Sequence, residues 1–184
     1  MKKILLSLAI SLMIVSPAFC QKYLTKSGHI GFFGKTDLMN IEANSNQATS
    51  IIDAATGDIV FKVLQTSFQF KEALMQEHYN EKYVESEKYP DALFKGKITN
   101  LAEVNFKQDG TYKAKVTGDL SLHGVTKNVS VDGTITVKDG KVNAQAKFPV
   151  TEKDFKIEVP GAVRNKIAET MDVTVEMSYS AMNK

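Results

Sequence analysis

The sequence predicts an all-β protein whose long antiparallel strands close into an up-and-down barrel. Three observations favour this fold. Apolar and polar residues alternate over stretches of about ten residues, tight Asp-Gly turns join consecutive stretches, and small residues occupy the middle of the apolar rows. Strands that bury one face must hide their edges, which a two-sheet sandwich or a closed barrel achieves. The tight turns favour the barrel, because a sandwich needs longer crossing connections.

The strands follow one another as rows of apolar residues two positions apart. The rows are Ile59, Phe61 and Val63; Tyr112, Ala114, Val116, Gly118, Leu120 and Leu122; Val129, Val131, Gly133, Ile135 and Val137; Val142, Ala144, Ala146, Phe148 and Val150; and Val173, Val175, Met177 and Tyr179. Charged, hydroxyl and amide side chains fill most alternate positions, so each strand has a dry and a wet face. The Gln108-Asp109-Gly110 turn precedes the second row, and Asp139-Gly140 forms the hairpin between the third and fourth.

Small residues in the middle of the inward rows indicate an open lumen. They are Ala114, Gly118, Gly133, Ala144 and Ala146. A barrel of about eight strands has room for a ligand when its inward side chains are small. The alternative is that aromatic residues of other strands fill the same space. Those residues are Phe61, Phe68, Phe94 and Phe106.

Two stretches depart from the period of two. Residues 71–84 place Leu74, Met75, His78 and Tyr79 at helical spacing, which predicts one short amphipathic helix. Residues 160–168 are expected to form a second helical turn or a loop. No repeat or linker interrupts the chain, so residues 21–184 are predicted to be a single domain.

The first twenty residues have the three-part pattern of a cleaved signal peptide. Lys2 and Lys3 precede an apolar run over residues 4–15, Pro17 interrupts it, and small residues stand at 18 and 20. The run is shorter than the about 20 residues that span a bilayer. We therefore expect a periplasmic protein without a transmembrane segment in its mature chain. Lipoprotein anchoring through Cys20 is disfavoured, since bulky Phe19 stands where a lipobox has Gly or Ala.

Charge and residue types exclude several functions. The chain has 23 Lys and Arg against 21 Asp and Glu, and Lys2 and Lys3 account for the excess, so the mature protein is formally neutral. Its one arginine is Arg164. We expect no nucleic-acid partner, because such binding depends on basic residues that neutralise phosphates. The three histidines lack zinc-site spacing and no G-x-S-x-G motif occurs, so neither a metal site nor catalysis is expected.

Three segments resemble the motifs of the YceI-like family of exported bacterial proteins. The first is residues 74–96, with the matching residues Met75, His78, Tyr79, Tyr89-Pro90 and Phe94. The second is residues 118–127, which read G-D-L-S-L-H-G-V-T-K, and the third is residues 154–157, which read D-F-K-I. The resemblance extends from about Gly28 to Tyr179. Each motif is modest alone, and the occurrence of all three in the family's order makes the assignment specific.

This resemblance implies a lipocalin-like, extended eight-stranded antiparallel barrel, partly covered by a short helix. It also implies an apolar tunnel holding a long-chain amphiphile such as a polyisoprenoid, an isoprenoid quinone or a fatty-acid derivative, with no other cofactor. We therefore expect a non-catalytic binding or carrier protein. The residues expected to line the tunnel are Phe61, Val63, Phe68, Phe70, Met75, Tyr79, Phe94, Phe106, Val116, Leu120, Phe148 and Phe155. His78 is the candidate for a head-group contact, and the favoured alternative is a structural histidine whose hydrogen bonds are made within the protein.

Two other functions stay open at this level. An exported structural or stress-related barrel would have a filled lumen and act through its surface. An outer-membrane porin-like barrel would turn its apolar rows outward and band its aromatic residues at both ends, which the sequence does not do. An exposed edge or mouth-to-mouth packing would favour a homodimer.

Overall fold

The computed structural model describes residues 22–182, and the signal peptide predicted at residues 1–20, with Cys20, lies outside this range. The strands are β1 (Lys22–Lys35), β2 (Asn40–Asp53), β3 (Asp58–Leu64), β4 (Gln69–Phe70), β5 (Asp91–Ile98), β6 (Gly110–Leu122), β7 (Val125–Lys138), β8 (Lys141–Thr151) and β9 (Thr170–Ala181). The helix α1 spans Ala73–His78, and a π-helical turn spans Tyr79–Tyr83. Short 3₁₀ turns occur at Gln65–Ser67, Leu101–Glu103, Glu152–Phe155 and Gly161–Lys166.

Eight strands form one closed antiparallel barrel. They neighbour one another in the order β1, β9, β8, β7, β6, β5, β3, β2, and the ring closes because β1 pairs with both β9 and β2. The two-residue strand β4 pairs with Ala43 and Asn44 of β2. These pairings confirm the predicted all-β, eight-stranded antiparallel barrel with one short helix, and they exclude the sandwich.

The apolar rows face the interior. Ala114, Ile135 and Met177 are buried, whereas the neighbouring charged residues Lys113 and Lys115 are exposed. This is the reverse of the pattern that a porin-like barrel requires. The hydrophobic effect therefore drives the closure of the sheet around an apolar lumen.

One end of the barrel is closed by packed side chains. The rings of Tyr23 and Phe106 stack with centroids 5.6 Å apart, and the Tyr23 hydroxyl donates to the Phe106 carbonyl oxygen at 3.3 Å. Val104 and Ile98 are buried beside them in the same core. Phe106 thus belongs to the plug at the closed end.

The wall of the barrel is incomplete between β7 and β8. The β6–β7 and β8–β9 ladders run along most of their strands, whereas the β7–β8 ladder ends at Gly133 and Ala146. Pro149 lies in the half of β8 beyond this point, where a residue without an N–H is tolerated. Residues 152–169, which we call the strap, follow β8, and their Glu152–Phe155 turn packs against β7.

The predicted helix at 71–84 is shorter and less regular than its spacing indicates. Regular α-helix ends at His78, and the Val84 N–H donates to the Tyr79 carbonyl oxygen five residues earlier, at 2.9 Å. Such π-turns appear mostly as single turns, often at functional sites. The second stretch, predicted at 160–168, is a 3₁₀ turn over Gly161–Lys166.

Gly118 allows β6 to approach β5 closely and does not add free volume to the lumen. It pairs with Gly96 of β5, and a Cβ at position 118 would collide with the Gly96 Cα and the Lys95 carbonyl oxygen. The Phe94 ring already occupies the space on the inner side, 2.8 Å from that Cβ position. The expectation that Gly118 leaves free volume is therefore wrong.

We expect Gly118→Ala to lower the free energy of unfolding by about 1–3 kcal/mol, because backbone atoms of β5 cannot move aside cheaply. Gly161→Ala is the matched control, since a Cβ there meets no atom within 4 Å. Urea denaturation followed by circular dichroism measures both variants. Equal stability of the two would contradict the close approach of β5 and β6.

Candidate functional site

The lumen contains an apolar cavity of about 740 Å³. Its wall extends from Ser50 and Tyr179, near the closed end, to Met39 and Leu74 at the opposite end. Cavities that bind small molecules in proteins have volumes of roughly 300–1,000 Å³ and are lined mainly by apolar side chains. The barrel therefore has room for a ligand of substantial size.

Most residues expected to line the tunnel do line this cavity. They are Phe61, Val63, Phe68, Phe70, Met75, Tyr79, Phe94, Val116, Leu120 and Phe148, and His78 lies on the same wall. Contact of any of them with a ligand stays a prediction. The alternative interpretation treats Phe61, Phe68 and Phe94 as residues that fill the lumen. In the structure these three phenylalanines lie on the wall and leave the cavity open.

Phe106 and Phe155 lie elsewhere, and the expectation that they line the tunnel is wrong. Phe106 stacks on Tyr23 at the closed end of the barrel. Phe155 is buried in the 3₁₀ turn of the strap, which packs against β7. Both belong to connecting segments, where the period of two that assigns inward faces does not apply.

Several wall residues were not among the expected lining. They include Ile30 and Phe32 of β1, Val173, Val175 and Met177 of β9, and Ile157, Val159 and Val163 of the strap. The β9 residues form a clear apolar row in the sequence, so that row was sufficient to find them. The strap residues lie outside the strands, so no apolar row in the sequence identifies them as wall residues.

An aromatic cluster covers the wall beneath the π-helical turn. The Tyr79 ring lies 5.0 Å from Phe70, 5.9 Å from Phe68 and 5.5 Å from Phe32, measured between centroids. Phe32 also contacts Phe68 at 5.2 Å. Aromatic pairs at 4.5–7 Å in tilted or edge-to-face arrangements stabilise one another beyond their buried area. The cluster joins β1, β4 and the π-helical turn into one rigid face.

The polar groups near the closed end satisfy one another. The Ser50 hydroxyl donates to the Val60 carbonyl oxygen at 2.9 Å, and the Tyr179 hydroxyl lies 2.8 Å from the Ser50 oxygen. Burial raises the pKa of Tyr179 to about 12. This end of the cavity therefore presents a wall whose hydrogen bonds are already made.

The polar group beneath the π-helical turn is only partly satisfied. Gln65 is 1% exposed, and its Oε1 accepts a hydrogen bond from the Tyr79 hydroxyl at 2.6 Å. Burial raises the pKa of Tyr79, so this hydroxyl stays protonated and donates. Within residues 22–182, the Nε2 of Gln65 has no hydrogen-bond partner.

Charged residues lie at the end of the cavity formed by α1 and the strap. Glu72 and Lys166 line this end and are exposed, and Leu74 on α1 is 61% exposed. Glu152 is buried at 7% exposure and is paired with the guanidinium of Arg164. This end, which we call the mouth, therefore combines exposed apolar surface with charges that reach water.

Hydrogen bonds join the two turns of the strap to each other and tie its first turn to the barrel. The Arg164 Nη2 donates to the Ile167 carbonyl oxygen at 2.6 Å, in addition to its pairing with Glu152. His123, in the β6–β7 turn, donates through Nδ1 to the Phe155 carbonyl oxygen at 3.0 Å. Its Nε2 lies 2.8 Å from the Glu85 carboxylate, so His123 connects the strap to the segment that follows the π-helical turn.

The described residues show no arrangement for metal chemistry. Among residues 22–182, no three His, Cys, Asp or Glu side chains group in a way that could hold a metal ion. In the same range, no helix is both long and apolar enough to cross a membrane.

A family model and several curated relatives match the sequence of this chain. A family model described as YceI-like domain matches residues 23–179. UPF0312 proteins from two strains of Pseudomonas putida are 35% identical over 100 residues, which cover 51% of this chain and 47% of each relative. The matched segment is therefore about half the length of the curated relatives.

Solved structures share the fold. A polyisoprenoid binding domain from Saccharophagus degradans, implicated in plant cell wall breakdown, matches with a TM-score of 0.76 at 14% identity, covering 88% of this chain and 98% of that one. BcnA of Burkholderia cenocepacia matches with a TM-score of 0.68 at 15% identity, covering 83% and 96%. The YceI protein of Campylobacter jejuni matches with a TM-score of 0.54 at 16% identity, covering 100% of both chains.

The buried Tyr179 hydroxyl predicts a loss of stability at alkaline pH. Its pKa rises from about 10 in the unfolded chain to about 12 in the fold, so stability falls once pH exceeds the unfolded value. Between about pH 8 and pH 11 this group alone should cost roughly 1 kcal/mol of unfolding free energy. Urea denaturation across this range should show a shallower decline for Tyr179→Phe than for the parent, and an identical decline would contradict burial of the phenol.

Proposed function

The chain belongs to the YceI-like family, and from this membership we propose that it binds a long-chain apolar amphiphile in the barrel lumen and carries it through the periplasm without chemical change. The ligand class is a polyisoprenoid, an isoprenoid quinone or a fatty-acid derivative. The observation that carries the proposal is the cavity of about 740 Å³, lined mostly by apolar side chains inside a closed barrel. The polyisoprenoid-binding description of a structural neighbour supports the ligand class.

Burial of hydrocarbon supplies the affinity. Each methylene removed from water contributes about 0.8 kcal/mol, so a chain of some ten methylenes gains roughly 8 kcal/mol before the cost of ordering it. The wall that would receive the chain is formed by residues of all eight barrel strands, with the strap and the α1 segment at the mouth. Because these rows have almost no free polar group, they favour an extended apolar chain over a compact polar solute.

A carrier role is supported by how the two ends of the lumen differ. The closed end is sealed by Tyr23 and Phe106, whereas the mouth has Leu74 exposed beside Glu72 and Lys166. A ligand would therefore enter and leave at the mouth, with its tail toward the closed end. Export follows from the N-terminal sequence pattern of residues 1–20, and it is part of the proposal.

Protein purified from the native periplasm without detergent tests the binding function. We expect an organic-solvent extract, analysed by mass spectrometry, to contain an isoprenoid or acyl species in stoichiometric amount. An empty extract, together with no uptake of fluorescent long-chain probes, would overturn the proposal. It would favour instead the structural or stress-related barrel that acts through its surface.

Val116→Trp tests whether the ligand lies in the lumen. Val116 lines the cavity from the middle of β6, so an indole there should displace part of the chain. If two methylenes are displaced, affinity for a long-chain probe falls by about tenfold. Lys115→Trp is the matched control, because Lys115 is the exposed neighbour on the outer face.

Probe titration by fluorescence compares the two tryptophan variants with the parent. Reduced affinity in Val116→Trp, with parental affinity in Lys115→Trp, is the expected result. Equal affinities in all three proteins would place the ligand outside the lumen.

A further inference from the structure

The strap is a loop that is closed at its base and bonded mostly to itself. Thr151 and Thr170, the residues on either side of it, pair in the β8–β9 ladder. Hydrogen bonds within the strap hold its turns. Among residues 22–182, the hydrogen bond between His123 and the Phe155 carbonyl oxygen is the one that joins the strap to another part of the chain. Movement of the strap about its base therefore breaks few polar contacts.

The strap also forms one side of the mouth. β7 and β8 separate beyond Gly133 and Ala146. This half of β8 lies at the mouth end, since it pairs with the start of β9, which in turn pairs with the end of β1. The strap covers the opening and places Ile157, Val159 and Val163 on the cavity wall. An outward swing of the strap would widen the mouth sideways between the two strands.

His123 faces an acceptor with each of its ring nitrogens. Nδ1 lies 3.0 Å from the Phe155 carbonyl oxygen of the strap, and Nε2 lies 2.8 Å from the Glu85 carboxylate, in the segment after the π-helical turn. Neither a carbonyl nor an ionised carboxylate can donate a hydrogen bond, and a histidine ring donates from both nitrogens only when it carries two protons. Both contacts are therefore hydrogen bonds in the imidazolium form alone.

Loss of one proton breaks the contact with the strap. A neutral ring keeps a single N–H, and the charged Glu85 carboxylate is a stronger acceptor than the Phe155 carbonyl oxygen. The remaining proton therefore stays on Nε2 of His123, and Nδ1 turns a lone pair toward the carbonyl oxygen. The bond that is lost is the one that ties the strap to the β6–β7 turn.

We propose that His123 is a pH-sensitive latch of the mouth: its imidazolium form holds the strap against the barrel, and its neutral form releases the strap so that the ligand exchanges faster. The inference rests on the proposed function and adds regulation of the same site. Lids that open and close over a binding site often set the rate at which a bound molecule leaves. The latch therefore acts on the rate of exchange more than on the choice of ligand.

The other groups around His123 leave the response to this ring. On the segment after the π-helical turn, Tyr89 packs edge-on against the imidazole with centroids 4.7 Å apart, and Lys88 lies over the Tyr89 ring. On the strap, Asp154 lies 3.9 Å from Lys127 of β7, and such exposed pairs contribute little. Histidine alone among these side-chain types ordinarily changes charge between about pH 5 and pH 8, so pH acts on the latch through His123.

Release of a pyrene-labelled long-chain alcohol tests the latch, because this probe carries no titratable group. The loaded protein is mixed with an excess of unlabelled alcohol, and the change in pyrene fluorescence gives the release rate at about pH 5.5 and about pH 8. We expect release from the parent protein to be about tenfold faster at the higher pH, the effect of losing one charge-assisted hydrogen bond.

Two variants separate protonation of the ring from its packing. Glu85→Gln offers an amide N–H to Nε2, so a neutral His123 can keep its proton on Nδ1 and hold the strap, and we expect slow release at both pH values. His123→Asn places a shorter side chain that does not reach both partners, and we expect fast release at both. Asparagine tolerates the positive φ of 51° at this position.

His29→Gln is the matched control, since it removes a histidine whose ring bonds to Asn46 of β2. This variant should retain the pH dependence of the parent. Thermal unfolding of all three variants checks that each is folded.

A second measurement uses the unaltered protein without ligand. Nuclear magnetic resonance of the His123 ring nitrogens in an isotope-labelled sample should show both protonated at about pH 5.5 and Nε2 alone protonated at about pH 8. The same protonation at both pH values, or a neutral ring protonated on Nδ1, would overturn the latch.

The release rates can also overturn the latch while leaving the carrier function standing. They do so if release from the parent is independent of pH, or if its pH dependence persists in His123→Asn or Glu85→Gln. Absence of probe binding at either pH would overturn the proposed function and, with it, the control of ligand exchange by His123.

Discussion

Closure of the sheet through β1 is the constraint on which the rest of the structure depends. β1 pairs with β2 on one side and β9 on the other, so the first and last strands of the domain meet. Closure removes the edges that an open sheet of long strands would expose, and it forces every inward row to share one lumen. The lumen is apolar because the inward rows are apolar, and it is open because Ala114, Gly133 and Ala144 stand where larger side chains would meet.

The barrel is least uniform where β7 and β8 separate beyond Gly133 and Ala146. Two strands cannot diverge inside a closed barrel without leaving backbone groups and apolar side chains uncovered. The strap occupies this gap, with Phe155 buried in its first turn and Ile157 on the cavity wall. The ion pair between buried Glu152 and Arg164 joins the two turns of the strap, and His123 ties the first of these turns to the β6–β7 turn. The family motif around residues 154–157 thus corresponds to a segment that completes the wall.

Sequence periodicity predicted which residues face inward and predicted less well how far along the barrel they lie. The rows of β6 to β9 were readable because those strands alternate without interruption. β1 and β2 were not, because register shifts between Thr25 and Gly28 and between Gly28 and Ile30 displace their alternation. Position along the axis depends on tertiary contacts, which is why Phe106 was expected in the tunnel and lies in the plug.

The apolar rows and the polar residues of the lumen differ in what they offer to a ligand. An apolar wall of this kind favours any sufficiently long apolar chain, since burial energy follows area and hardly depends on chemical identity. Discrimination requires a group whose hydrogen bond is lost with the wrong ligand. Gln65 continues the inward row of Ile59, Phe61 and Val63, so an amide stands where the pattern calls for an apolar residue. Its Oε1 accepts a hydrogen bond from the Tyr79 hydroxyl at 2.6 Å, so this buried amide joins the end of β3 to the π-helical turn.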